Sequence, residues 1–244
     1  MSKLEWDKTG ERLYQLGVDH GVVFPMVKGK YSTGAPWNGL TAVNESPDGA
    51  DPNDIYADNI KYASIRSAEN FKYTLEALTY PPEFEQCDGS VEVAKGVSIG
   101  QQKRCPFGLS YRTRIGADDD PEKGYIIHLV WNSTASPSDK SHETVNENPD
   151  AETFSWECDT TPTQVTGYKP TAHMTINSTL IEAAKLKQLE DKIYGTENSE
   201  STLPTPDEVI KLLGGVTEAA SSNVGSLIGK DDSNDQESNS VHRL

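Results

Sequence analysis

The sequence predicts a mainly β fold, an antiparallel β-barrel or two-sheet sandwich with one packed α-helix, long loops and terminal arms. Three observations predict it. In Phe71–Ala77 (FKYTLEA) every odd position is apolar and every even one polar, the two-residue period of a strand with one buried face. Phe107–Ile115 (FGLSYRTRI) repeats the phase and sets Arg112 and Arg114 on the face opposite Phe107, Leu109 and Tyr111, since unpaired arginines do not enter a core. Between them, Pro81–Gly89 and Val93–Gln102 are rich in glycine and proline, which leaves room for short pieces of structure but not a long helix.

The 244 residues suit one large β domain or two small ones, and all-β domains of this size commonly remain single. We divide the chain into an N-terminal arm (1–20), a β domain (21–213) and a flexible polar C-terminal tail (214–244). Only 34% of residues are hydrophobic, and 38 acids against 22 Lys and Arg give a net charge of −16. That balance excludes a surface built to grip phosphates by counterion release. The acidity belongs to the body, because 214–244 holds five acids and two bases. Cys87, Cys105 and Cys158 are an odd number without a Cys-x-x-Cys pair, so neither a disulfide framework nor a zinc site is expected. The first residues lack the apolar core of a signal peptide, and the longest apolar run, Ile126–Trp131, is too short to cross a bilayer; a soluble protein in a reducing compartment is expected. Sequons at Asn44, Asn132 and Asn177 carry no weight in that setting.

In chain order, Lys8–Gly17 has few apolar groups and should order only against a neighbour. Val22–Val27 contains Pro25, which confines it to an edge or a bulge, and the next strand candidate starts at Gly39. Glu45–Asp58 holds five acids and no bases and reads as a long loop. Ile60–Arg66 and Phe71–Leu78 are spaced for a hairpin, as are Tyr111–Ile115 and Tyr125–Asn132. The acidic turn between the latter pair, 118–124, lacks the spaced ligands of a calcium loop and reads as solvated. Tyr125–Trp131 is apolar on both faces, as a central strand covered twice would be. His128 within it reads as a hydrogen-bonded core residue, no second histidine lying at ligand spacing.

Ser133–Asp150 is a second long polar loop and a second interface candidate. Thr153–Asp159 points Phe154, Trp156 and Cys158 inward and Ser155, Glu157 and Asp159 outward, and Thr171–Asn177 repeats the phase through Ala172, Met174 and Ile176, which together suggest a three-strand meander. The period then becomes helical over about 179–194, with Leu186, Leu189 and Ile193 on one face, a capping box from Thr179 and Glu182, and Gly195 as the stop. Thr205-Pro206-Asp207-Glu208 opens a second helix over about 206–213, ended by Gly214.

The runs Trp37–Val43, Tyr56–Tyr62, Thr79–Phe84, Gly108–Arg112, Phe154–Glu157 and Pro204–Val209 together resemble the major tail-tube proteins of long, flexible-tailed bacteriophages, a likeness spread over roughly Leu4–Leu213. The resemblance implies a structural virion protein whose six-membered rings stack into a tail tube that passes double-stranded DNA without binding it specifically. It implies assembly in the host cytoplasm, residence in the virion tail, and as partners further copies of itself and the tail proteins at the tube ends, with no membrane. In that pattern the loop Glu45–Asp58 grips the neighbouring ring, so Glu45, Asp48, Asp51 and Asp54 are the inter-ring candidates, joined by Tyr14 of the arm Lys8–Gly17. Ser155, Glu157 and Asp159, the most acidic strand face, are the lumen candidates, whereas Arg112 and Arg114 should pair with carboxylates at a subunit boundary.

No enzyme is expected. Gly-x-Ser-x-Gly, His-Glu-x-x-His and Gly-x-Gly-x-x-Gly motifs are missing, Gly225–Lys230 falls one residue short of a phosphate loop, and an acidic pair such as Glu76 with Glu157 is unremarkable among 38 acids. We assign no catalytic residue, cofactor or metal. The alternative is a carbohydrate-binding β-sandwich module or adhesin, with Trp6, Trp37 and Trp131 as stacking faces.

Overall fold

Burial alternates where the sequence does. Tyr73, Leu75 and Ala77 are buried and Lys72, Thr74 and Glu76 half-exposed, because successive side chains of a strand leave on opposite faces. The computed structural model describes residues 4–49, 51–142, 144 and 151–215, and it is mainly β, 49% strand against 15% helix. The strands are β1 (Leu13–Val27), β2 (Lys30–Tyr31), β3 (Ala35–Trp37), β4 (Leu40–Glu45), β5 (Asp48–Gly49), β6 (Pro52–Ala57), β7 (Ile60–Arg66), β8 (Glu69–Asn70) and β9 (Lys72–Ala77). After the short helix α1 (Glu85–Asp88) come β10 (Val91–Ala94), β11 (Val97–Ile99), β12 (Phe107–Ala117), β13 (Gly124–Ala135), β14 (Phe154–Thr160), β15 (Thr163–Val165), β16 (Tyr168–Thr171) and β17 (His173–Asn177). Helices α2 (Ala183–Tyr194) and α3 (Pro206–Leu213) follow.

The main sheet is antiparallel in the order β2-β1-β12-β13-β14-β9-β4, with β3 beside β1 and β17 beside β13. The fork lies in β13. Ile126–Val130 pairs with β17, and Ser133–Ala135 pairs with β14. Asn132 sits between them at φ 50, the left-handed region that asparagine tolerates better than most residues. Its amide donates to Tyr31 Oη at 2.9 Å and its carbonyl accepts from the Thr161 amide at 3.1 Å, so both of its backbone groups at the fork are satisfied. The wing β14-β9-β4 folds over one face of β1-β12-β13, and α2 and α3 cover the other.

Two cores follow from this layering. Val23, Trp37, Tyr73, Leu75, Phe84, Leu109, Tyr111, Val130 and Trp156 fill the space beneath the wing. Val22, Phe24, Ile127, Leu129, Trp131, Leu186, Leu189 and Ile193 fill the space beneath the helices. The double apolar face of Tyr125–Trp131 is therefore that of a central strand. The expected barrel does not close, since the sheet ends in β4 on one side and β2 on the other without a pairing between them. Alternation tells which face of a strand is buried but not whether the end strands meet.

Several boundaries differ from the sequence reading. The boundary at residue 20 falls inside β1, which starts at Leu13 and pairs with β12 from Leu13↔Ala117 onward through two bulges. Gly17 (φ 53) and His20 (φ 51) sit at those bulges. Backbone ladder bonds, not apolar burial, order this segment, for Leu13 and Leu16 stay 57% and 50% exposed. Glu45–Asp58 is not a loop. It carries β5 and β6, and β7 pairs with β6 while β9 pairs with β4 and β14, so the expected β7–β9 hairpin does not form. The three-strand meander is also absent, as β14 and β17 flank different parts of β13.

Helix α2 starts at Ala183 and not at 179, because Asn177 Oδ1 accepts both the amide and the hydroxyl of Thr179, at 2.9 and 2.8 Å, and winds Ser178–Leu180 into a 3-10 turn. The Thr179–Glu182 capping box therefore does not form. Gly195 does follow the last turn, and Leu186, Leu189 and Ile193 form the buried stripe, each worth about 1.5–3 kcal/mol of burial. The second helix is as predicted: Thr205 and Glu208 make the reciprocal box and Gly214 adopts φ 83. Residues 216–244, with most of the predicted tail and the Gly225–Lys230 run, lie outside the described residues.

Candidate functional site

The strands β5 to β8 build a two-stranded arm on the wing. β5 pairs with β8 through Asp48↔Asn70 and Gly49↔Glu69, and β6 pairs with β7 from Pro52↔Arg66 to Ala57↔Ile60, with a bulge at Ile55/Tyr56. Asp58 and Asn59 make the turn with φ 52 and 63, the two left-handed residues that a tight hairpin of the right twist requires. No side chain of β6 or β7 is buried. Ile55, Tyr56, Ile60, Tyr62 and Ile65 are 41%, 68%, 63%, 72% and 58% exposed. An isolated two-stranded ribbon with large apolar groups in water is a poor structure by itself and a surface suited to docking.

The predicted inter-ring residues divide over this frame. Asp54 holds the arm, accepting Lys61 Nζ at 2.7 Å and Ser64 Oγ at 2.7 Å, and the Lys61 hydrogen bond comes first in lowering its pKa. Asp48 lies at the root, 3.1 Å from Lys72 Nζ, which lowers it likewise. Asp51 is exposed between them. Tyr14 is elsewhere, on β1, with its ring in the space that a Cβ at Gly116 would need. Glu45 is exposed but turns Oε1 to the body: Tyr111 donates to it at 2.8 Å, and His128 Nδ1 and His173 Nε2 lie 3.3 and 3.9 Å from the same oxygen.

The hydrogen bond from His128 leads the influences that hold Glu45 down at about 2. Burial pushes His173 down to about 4, against the attraction of Glu45, so its ring is neutral near pH 7. His128 is a buried, hydrogen-bonded residue as expected, but it has a histidine neighbour after all. Sequence spacing could not show it, for β17 brings His173 alongside only through pairing; the phase of Ala172, Met174 and Ile176, which sets His173 on the opposite face, was the available signal.

Ser155, Glu157 and Asp159 do share the outer face of β14, opposite Glu76, Thr74 and Lys72 of β9. Glu157 and Asp159 are exposed and Ser155 is half-buried. With Glu76, Glu157 and Asp159 against Lys72, this face of the wing is polar and net acidic, and Lys72 reaches Asp159 at 3.5 Å. Arg112 and Arg114 lie on another layer and find their carboxylate in the same chain. Asp19 accepts Arg112 Nε on Oδ1 at 3.0 Å and Arg114 Nε on Oδ2 at 2.8 Å. Burial alone would raise Asp19, but the hydrogen bonds from Arg114, Arg112 and His20 together with the Arg112 charge outweigh it and hold it at about 2. Arg112 also lies 4.4 Å over the Tyr125 ring, beside α2.

Trp37 and Trp131 are 4% and 1% exposed and donate their indole N–H to the carbonyls of Thr79 and Pro204, so neither offers a stacking face; Trp6 is exposed. The three cysteines are free, and Cys87 and Cys105 Sγ lie 3.0 Å apart, a proximity that the odd count concealed. The acidic turn ties down the N-terminus, Asp118 accepting the Gly10 amide at 2.8 Å. In the second long loop Lys140 reaches the buried Asp88 at 2.7 Å, while 143 and 145–150 lie outside the described residues. No described helix is long and apolar enough to cross a membrane. No family model and no curated protein matches the chain.

Proposed function

We propose that this chain is the repeating subunit of a bacteriophage tail tube, closing into six-membered rings that stack and pass double-stranded DNA. The observation that carries the reading is the β6–β7 arm, which leaves five large apolar side chains exposed and has no core of its own; packing against a second copy would cover them. The open sandwich supports it as well, because the unpaired edges at β4 and β2 are satisfied when neighbouring copies extend the sheet. The acidic outer face of β14 and β9 suits a channel, since double-stranded DNA carries about one charge per 1.7 Å and a basic lining would hold it. The reading is structural, with no catalytic step, and its partners are other copies and the proteins at the tube ends.

The test is excision of Asp51–Arg66 below the β5–β8 pairs, a cut that spares Glu45. A folded subunit that no longer lengthens into tubes is expected; polymerisation equal to that of the parent overturns the proposal.

A further inference from the structure

Glu45, His128 and His173 arrive from three strands, β4, β13 and β17, and their ligating atoms all lie within 4.8 Å of one another. His128 Nδ1 is 3.2 Å from His173 Nε2 and 3.3 Å from Glu45 Oε1, and His173 Nε2 is 3.9 Å from that oxygen. A tetrahedral ion with bonds of about 2.0–2.1 Å separates its ligand atoms by about 3.3 Å. Two of the three separations already match, and the third closes with a small turn of the half-exposed Glu45 side chain.

The surroundings hold these donors in place. Thr113 Oγ1 lies 3.0 Å from His128 Nε2; once an ion displaces the proton that Nδ1 shares with Glu45, the ring proton sits on Nε2 and Thr113 accepts it. Tyr111 stacks on His128 with centroids 4.4 Å apart, and Phe71 stacks on His173 at the same distance, so neither ring swings freely. Tyr111 also donates to Glu45 Oε1 at 2.8 Å, orienting the carboxylate. His128 is 7% exposed, whereas the Glu45 side chain is 37% exposed, so the cluster is walled by rings and open on the carboxylate side.

We propose that Glu45, His128 and His173 bind one divalent ion of the zinc class, with water in the fourth position. Two imidazoles and one carboxylate suit such an ion better than calcium or magnesium, which take all-oxygen sets. The ion would clamp the edge strand β4 to β13 and β17. Nothing in this site depends on tube assembly.

The test uses the untagged full chain, stripped with chelator and then titrated with Zn²⁺ by calorimetry and with Co²⁺ by visible absorption. The expected result is one equivalent per chain, a tetrahedral Co²⁺ spectrum displaced by Zn²⁺, and a melting temperature that rises with Zn²⁺ concentration. Thr113→Val should weaken Zn²⁺ binding roughly 10- to 100-fold, as loss of an outer hydrogen bond does, and His173→Asn by more than about 100-fold. Failure of the parent to bind one equivalent overturns the proposal, as does a folded His173→Asn variant that binds as tightly as the parent. Should His173→Asn not fold, Thr113→Val decides in its place, and unchanged affinity there overturns the proposal equally.

Discussion

Replacing Ile55, Ile60 and Ile65 together by threonine separates assembly from folding. Threonine keeps the β-branch that suits a strand, and these side chains are 41%, 63% and 58% exposed in the free subunit. Removing apolar groups that already face water leaves no cavity, so each change should move subunit stability by no more than about 0.5 kcal/mol. On association, about half of each isoleucine remains to be buried. Full burial of such a side chain is worth about 1.5–3 kcal/mol, so the three lose about 3 kcal/mol together, and association weakens roughly a hundredfold. Thermal melts of parent and variant should nearly coincide, while sedimentation velocity should show polymer appearing only at about a hundredfold higher concentration. Equal assembly at equal concentration would refute the role given to the arm; a large fall in melting temperature would refute the claim that the arm stands outside the core.

Two further outcomes are expected. Asp19→Asn removes the carboxylate shared by Arg112 and Arg114; a displacement from 3.8 to about 2 is worth at most about 2.5 kcal/mol, which screening at a partly exposed site reduces to about 1–2. Because the folded pKa lies below the unfolded one, this stabilisation is complete above about pH 4 and lost as pH falls through about 2, so parent and variant should differ in urea midpoint at pH 7 and converge near pH 2; an equal gap at both pH values contradicts it. Glu157→Lys with Asp159→Lys should leave tubes intact and slow DNA ejection, most at low salt where screening is weakest, and unchanged ejection kinetics there would remove these residues from the lumen.

What could be read from the sequence is what depends on neighbours along the chain. Phe71–Ala77, Thr153–Asp159 and the cap at Thr205 and Glu208 each carry their signal within a few residues, and all appear in the fold. The β6–β7 arm reads as a loop in sequence because Pro52, Asn53, Asp54 and Asp58 are turn formers, and because a ribbon without a buried face has no alternation to display. The start of β1 was obscured for the same reason, its order coming from backbone pairing with β12. Asn177 outcompeted Glu182 for Thr179, a local contest that motif spacing does not decide. The convergence of Glu45, His128 and His173 depends on the fork at Asn132, which no single stretch of sequence encodes.

Negative-stain microscopy of the purified full chain tests the central proposal most directly. Rings with six-fold symmetry or tubes built from them are expected, at concentrations where the Ile55→Thr, Ile60→Thr, Ile65→Thr variant shows isolated particles. Uniformly monomeric particles of the parent under the same assembly conditions would contradict it.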